Sequence, residues 1–170
     1  MYTKSIELLN RAVADELSAV HQYMFFHFHC DDQGLDILAG LFRRTAIEEM
    51  MHIERIAERI LFLKGEVDMA PSHRVEQLHD VKEMLAKAKS MEEQSIADYN
   101  RWATEVGTDS MTRKLLESLV TDEERHYSQY DDEVENIGKY GTSYLAQQAM
   151  ERSRTVATMP PAGRGTAPAA

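Results

Sequence analysis

Ile47-Glu48-Glu49-Met50-Met51-His52 and Asp122-Glu123-Glu124-Arg125-His126 are the two stretches that decide the fold of this chain. In each, a glutamate is followed three residues later by a histidine. Each pair also lies inside a longer run whose apolar residues recur at steps of three and four, the period of one helix face. The first run reads Leu38, Phe42, Thr45, Glu49, His52, Ile56, Ile60, Leu63, and the second Leu115, Leu119, Glu123, His126, Tyr130, Ile137. Polar pairs therefore interrupt stripes that should be buried.

Working outward, two further runs carry one glutamate each. They are Leu9, Val13, Glu16, Val20, Tyr23, His27, Cys30 and Val81, Leu85, Ala88, Glu92, Ile96, Tyr99, Ala103, Val106. The patterning predicts helices over Ser5–Cys30, closed by Asp31-Asp32-Gln33-Gly34, and over Leu35–Lys64, with Gly65 as its stop. A third runs from Asp80, where Asp80-x-x-Glu83 resembles a capping box, to Val106 before Gly107, and a fourth spans Asp109–Ile137. A short fifth helix is predicted over Ser143–Met150. Residues 151–170, ending MPPAGRGTAPAA, read as a flexible tail behind a single domain of residues 1–150. Two tight turns and one longer crossover, about Glu66 to His79 with Pro71 inside it, predict an all-α four-helix bundle of two antiparallel hairpins.

The chain has 170 residues, 43% of them apolar and 28% charged, which suits one globular domain and excludes a disordered one. No uncharged stretch approaches the ~20 residues of a membrane span. The opening MYTKSIELLN has no apolar run of signal-peptide length, so no membrane is expected and the cytoplasm is the expected compartment. Cys30 is the lone cysteine, so an internal disulfide and a thiolate metal cluster are both excluded. A net charge of −10 disfavours nucleic acid as a partner and favours cations.

The four seam glutamates carry the functional argument. An unpaired carboxylate in a dry core costs several kcal/mol even after relaxation, and four together also repel one another. Cations among them remove both penalties. Glu at i and His at i+3 project from one side of a helix and can reach one metal pair. Four carboxylates with two imidazoles suit Fe, Mn or Zn, and two divalent ions come close to balancing four glutamates. A di-metal site held by Glu16, Glu49, His52, Glu92, Glu123 and His126 is expected. Chance alone supplies Glu-x-x-His pairs in an acidic chain, and a third occurs at Glu76/His79. It lies in the Pro71-containing crossover and is expected to be solvated surface. Glu92 is preferred to Glu93 because Leu85, Ala88, Ile96, Tyr99 and Ala103 all project within about 40° of it on a helical wheel.

The second helix carries another apolar stripe about 130° from the metal seam: Ala46, Ile47, Met50, Ile53 and Ala57. An unpartnered apolar stripe implies a partner surface, and a symmetric dimer would bring two copies of Met50 near a twofold axis. Met51 is the alternative, but Arg44, Arg55 and Glu58 surround it. His21 and His29 flank the first seam, His27 is placed to hydrogen-bond in the core, and His73 lies in the crossover with His79. Trp102, Phe25 and Phe26 read as packing.

The phrases LNRAVADELSAVHQY, IEEMMH, ERILFLKG, DEERH and IGKYGTSYLAQQ resemble, in order, those of the bacterioferritins, members of the ferritin-like fold, over residues 5 to about 150. Their arrangement of ligands is the one already described for ferritin-like di-iron bundles. The resemblance implies that Glu49 and Glu123 bridge two irons, with Glu16 and His52 completing one shell and Glu92 and His126 the other. It places Tyr23 close to the centre. It implies a ferroxidase: Fe(II) oxidised by O₂ or peroxide, with Fe(III) mineral stored in a homo-oligomeric cage of 24 subunits built from dimers. Met50 from each of two subunits would ligate one haem, and a ferredoxin-type reductant would release the iron. The chain departs from the family's better-studied members at Arg44, where they carry a histidine on the cavity side, so the resemblance does not extend to a secondary iron site there. The alternative is a non-storage di-iron oxidase or peroxidase on the same bundle.

Overall fold

The computed structural model describes residues 2–158, with side chains placed as far as Glu151. Five helices follow one another: α1 (Thr3–Asp32), α2 (Asp36–Phe62), α3 (Val81–Glu105), α4 (Ser110–Tyr140) and α5 (Thr142–Thr158). α1 packs chiefly on α2 and α3 on α4, which gives the two hairpins of the expected bundle. The fifth helix runs well past Met150, so part of the segment read as a tail is helical. The remainder of that segment lies outside the described residues. Among the described residues no helix is long and apolar enough to cross a membrane.

Local chemistry sets the helix ends. At the end of α1, Gly34 takes φ 75°, and its N–H donates to Asp31 O at 3.0 Å while Leu35 N–H donates to Cys30 O at 2.9 Å. These paired bonds satisfy the last carbonyls and turn the chain directly into α2. The end of α2 repeats the motif one residue earlier than the sequence suggests. Lys64, not Gly65, adopts the left-handed φ of 63°, with Lys64 N–H on Leu61 O and Gly65 N–H on Ile60 O, both at 3.0 Å. Gly65 is required for another reason: a Cβ there would stand 2.7 Å from Ile6 Cγ2. At α3 the Asp80 carboxylate accepts from Lys82 N and Glu83 N, so this cap forms where the sequence places it. Asp109 caps α4 and is itself held by Arg59 at 2.6 Å.

The crossover lies against α1, fixed by polar groups at four-residue intervals. Asn10 donates to Glu66 O, Ala14 O accepts from Ser72 N, and Ser18 Oγ accepts from His73 N. Gln22 binds both backbone groups of Glu76, at 2.9 and 2.8 Å. Ser18 and Gln22 are buried, and their meaning was not visible in the sequence because the partners are backbone atoms far along the chain.

Two apolar clusters fill the bundle. One gathers Phe26, Leu38, Phe42, Leu85 and Tyr130 with Cys30 and Met84, and the other Leu9, Val13, Ile56, Ile60, Trp102 and Leu119. Between them runs a single polar layer.

Candidate metal centre

Each helix of the bundle supplies that layer from its middle. Glu16 comes from α1 and Glu92 from α3, while α2 gives Glu49 and His52 and α4 gives Glu123 and His126. All six are at most 3% exposed. They form two overlapping quartets, Glu16/Glu49/His52/Glu123 and Glu49/Glu92/Glu123/His126, with ligand atoms of each quartet within 4.8 Å of one another. Glu49 and Glu123 belong to both.

The imidazoles aim the same ring atom inward. His52 Nδ1 lies 2.8 Å from Glu49, 3.2 Å from Glu123 and 3.3 Å from Glu16. His126 Nδ1 lies 3.1 Å from Glu49, 3.3 Å from Glu123 and 3.7 Å from Glu92. One N–H cannot satisfy three carboxylates. Both oxygens of Glu49 and Oε1 of Glu123 are buried with no hydrogen-bond partner. In native proteins such groups nearly always have a partner, so these oxygens call for an ion. The donor set, four carboxylates and two imidazoles, fits borderline divalent cations.

The charges show what such ions would relieve. Burial, then repulsion from Glu49 and Glu123, holds the Glu16 carboxyl well above the usual range. Burial, followed by the charge of Glu49, does the same to Glu92. Burial pulls His52 down, but the close carboxylates of Glu123, Glu16 and Glu49 outweigh it and push the imidazole up to about 12. His126 is raised likewise, against its burial, by Glu123, Glu49 and Glu92. Glu123 is held low: burial raises it, but the adjacent imidazoles of His126 and His52 prevail. Without a metal, protons occupy positions that suit cations.

Two tyrosines complete the layer. Tyr23 O–H donates to Glu92 Oε1, and Tyr99 O–H donates to Glu16 Oε1 at 2.5 Å. Each stands seven residues after the seam glutamate of its own helix and reaches the glutamate of the other hairpin. The seven-residue spacing is present in both seams, but the family resemblance points to Tyr23 alone. The sequence reading also missed Glu48 and Asp122. His126 Nε2 donates to Glu48 Oε2 at 2.8 Å, and His52 Nε2 lies 3.3 Å from Asp122 Oδ2. The available signal was an acidic residue immediately before the seam glutamate of α2 and of α4.

The other candidates lie apart from this layer. Glu93 is exposed, as the helical wheel required. Glu76 pairs with Lys87 at 2.6 Å, and the exposed His79 packs its ring on His29. His27 Nδ1 meets Ala39 O at 2.9 Å. On the second stripe of α2, Ala46 and Ile53 turn into the subunit's own core, which narrows the expected apolar face. Ile47, Met50 and Met51 remain exposed, Met50 at 51%.

Residues 6–139 match the family described as Ferritin-like domain. The chain is 35% identical over 155 residues to the bacterioferritin of Desulfovibrio desulfuricans, covering 89% of this chain and 86% of the relative. It is 32% identical over 155 residues to the bacterioferritin of Rhodobacter capsulatus, covering 87% and 95%. An X-ray structure of the Desulfovibrio desulfuricans protein, which describes its diiron site in different catalytic states, superposes with a TM-score of 0.83 at 34% identity over 86% of this chain and 87% of that one. The chain belongs to the bacterioferritin family of ferritin-like proteins.

Proposed function

We propose that this protein is a cytoplasmic ferroxidase that stores iron. Two Fe(II) bind among Glu16, Glu49, His52, Glu92, Glu123 and His126, are oxidised by dioxygen or peroxide, and leave as Fe(III) mineral inside a 24-subunit shell. The observation that carries this reading is the pair of buried carboxylates shared by both quartets, three of whose four oxygens lack a hydrogen-bond partner. Glu49 and Glu123 are the groups suited to lie between two ions. Glu16 with His52, and Glu92 with His126, suit the outer sides.

The chain's own groups prepare the centre for exchange. Tyr99 and Tyr23 each hold one oxygen of Glu16 and Glu92, which fixes the carboxylate plane and leaves the other oxygen free for a metal. Protons on the two histidines leave as ions arrive, so uptake keeps the layer near electroneutrality. The flanking apolar clusters exclude water, which strengthens attraction between carboxylates and cations. Each Fe(II) supplies one electron to the oxidant.

Met50 suits a second role. Its exposed thioether, beside exposed Ile47, is a soft ligand on an apolar surface. Two copies across a twofold would hold one haem, which when bound carries electrons between the stored iron and a ferredoxin-type reductant. Met50→Leu nearly conserves volume; it is expected to remove the haem absorbance and leave iron oxidation and assembly intact.

Native mass and repeated aerobic Fe(II) additions test the storage reading. A particle near 24 subunits should retain at least tens of irons per chain, co-migrating with protein. A small oligomer that stops near two irons per chain and releases soluble Fe(III) would mean a non-storage di-iron oxidase.

A further inference from the structure

We infer that Arg125 is a positioning residue for the metal centre: one guanidinium at the surface braces both carboxylates that orient the two buried histidines. This rests on the six-residue centre proposed above and extends it outward. The bracing is crossed between helices. His126 on α4 is held by Glu48 of α2, and His52 on α2 faces Asp122 of α4. Arg125 Nη2 lies 2.5 Å from Glu48 Oε2 and 3.4 Å from Asp122 Oδ1, so one side chain touches both braces. Arg55 assists Asp122 alone, at 3.4 Å.

A neutral imidazole carries one N–H. A carboxylate on Nε2 keeps that proton outside and leaves the Nδ1 lone pair facing the glutamates, and losing such a partner typically weakens metal binding about 10–100-fold. The Arg125 and Glu48 side chains are 45% and 39% exposed. A pair so exposed contributes little to folding stability. Its effect is therefore expected in metal affinity rather than in the melting temperature. Arginine suits the task because Nη2 carries two N–H groups in a fixed plane, one available to each carboxylate, whereas lysine is a point charge.

The experiment titrates Co(II) into the metal-free, full-length protein and follows visible absorption, with thermal unfolding of the metal-free protein in parallel. Wild type should bind two Co(II) per chain. Arg125→Gln should weaken both steps by about tenfold and shift the absorption bands while leaving metal-free unfolding unchanged. Arg125→Lys should recover part of the loss. Glu48→Ala should weaken chiefly one step, because only His126 loses its brace, and Asp122→Ala chiefly the other. Unchanged Co(II) affinities and spectrum in Arg125→Gln would overturn the inference and leave the metal centre standing. So would a loss of affinity matched by an equal loss of metal-free stability, which is the mark of a merely structural contact. A wild type that binds no Co(II) pair would remove the centre itself, and this inference with it.

Discussion

Glu76 and His79 have the same spacing as Glu49 and His52, yet the two pairs live in opposite surroundings. The α2 pair is at most 3% exposed and converges with the second Glu–His pair, Glu123 and His126. The crossover pair is not carried on a helix and is exposed: Glu76 finds Lys87, and His79 lies against another ring at the surface. Local sequence is thus nearly silent about metal chemistry. What separates the pairs is whether the Glu–His face is also the buried face, because only there do desolvation and mutual repulsion make a cation necessary.

The largest effect expected from breaking this contrast is at the shared layer. His126→Ala removes the inward Nδ1 that faces Glu49, Glu123 and Glu92. Rapid Fe(II) oxidation, measured by stopped-flow absorbance, should fall to the uncatalysed background, and Glu92→Ala should do the same. Glu93→Ala, one residue along the same helix, should stay within about twofold of wild type. Equal losses at Glu92 and Glu93 would mean that the wrong face of α3 had been assigned.

A pH effect comes next. The His52 imidazole is raised to about 12 from its ordinary 6.5. That raised value stabilises the metal-free fold fully below about 6.5, and the contribution is lost progressively as pH rises toward 12. Glu16 and Glu92, also raised, act in the same direction above the ordinary carboxylate range. Glu123, held low, is ionised in folded and unfolded chains alike between pH 6 and 8 and adds no slope there. Metal-free protein should therefore melt lower at pH 8 than at pH 6. Metal binding, which displaces the same protons, should tighten over that interval. Calorimetry in two buffers of different ionisation enthalpy measures the protons released; no release on Zn(II) binding would contradict the charge assignment.

The seams made the bundle, its hairpins and the six converging side chains legible, because burial and helical period are properties of a single helix. The remaining groups depend on relations between helices. Glu48 and Asp122 lie one residue off the seam, and their meaning appears only when α2 faces α4. Gln22 binds backbone atoms of a segment far along the chain. Gly65 reads as a helix stop, but its requirement comes from Ile6 on another helix. A methyl group 2.7 Å from Ile6 Cγ2 forces a shift in packed side chains, so Gly65→Ala should cost ~1–3 kcal/mol in chemical denaturation. It should leave the number of bound metals unchanged, because the clash is at the far end of α2.

The smallest effect belongs to the crossover pair and sharpens the comparison most. Glu76 contributes to the fold mainly through its backbone, whose N–H and C=O are both taken by Gln22. Its carboxylate only meets Lys87, in a pair whose side chains are 53% and 33% exposed. Such a pair is worth about 0–1 kcal/mol and weakens with salt. Glu76→Ala and His79→Ala should therefore leave Fe(II) oxidation within about twofold and stability within ~1 kcal/mol. Gln22→Ala tests the other half of the argument. It frees both Glu76 backbone groups and should cost ~1–3 kcal/mol, more than either side-chain deletion. If Glu76→Ala instead cost as much as Gln22→Ala, the crossover would be held by its carboxylate. If His79→Ala slowed iron oxidation severalfold, the Glu76/His79 pair would belong to the iron chemistry after all, and burial would no longer separate it from the pairs on α2 and α4.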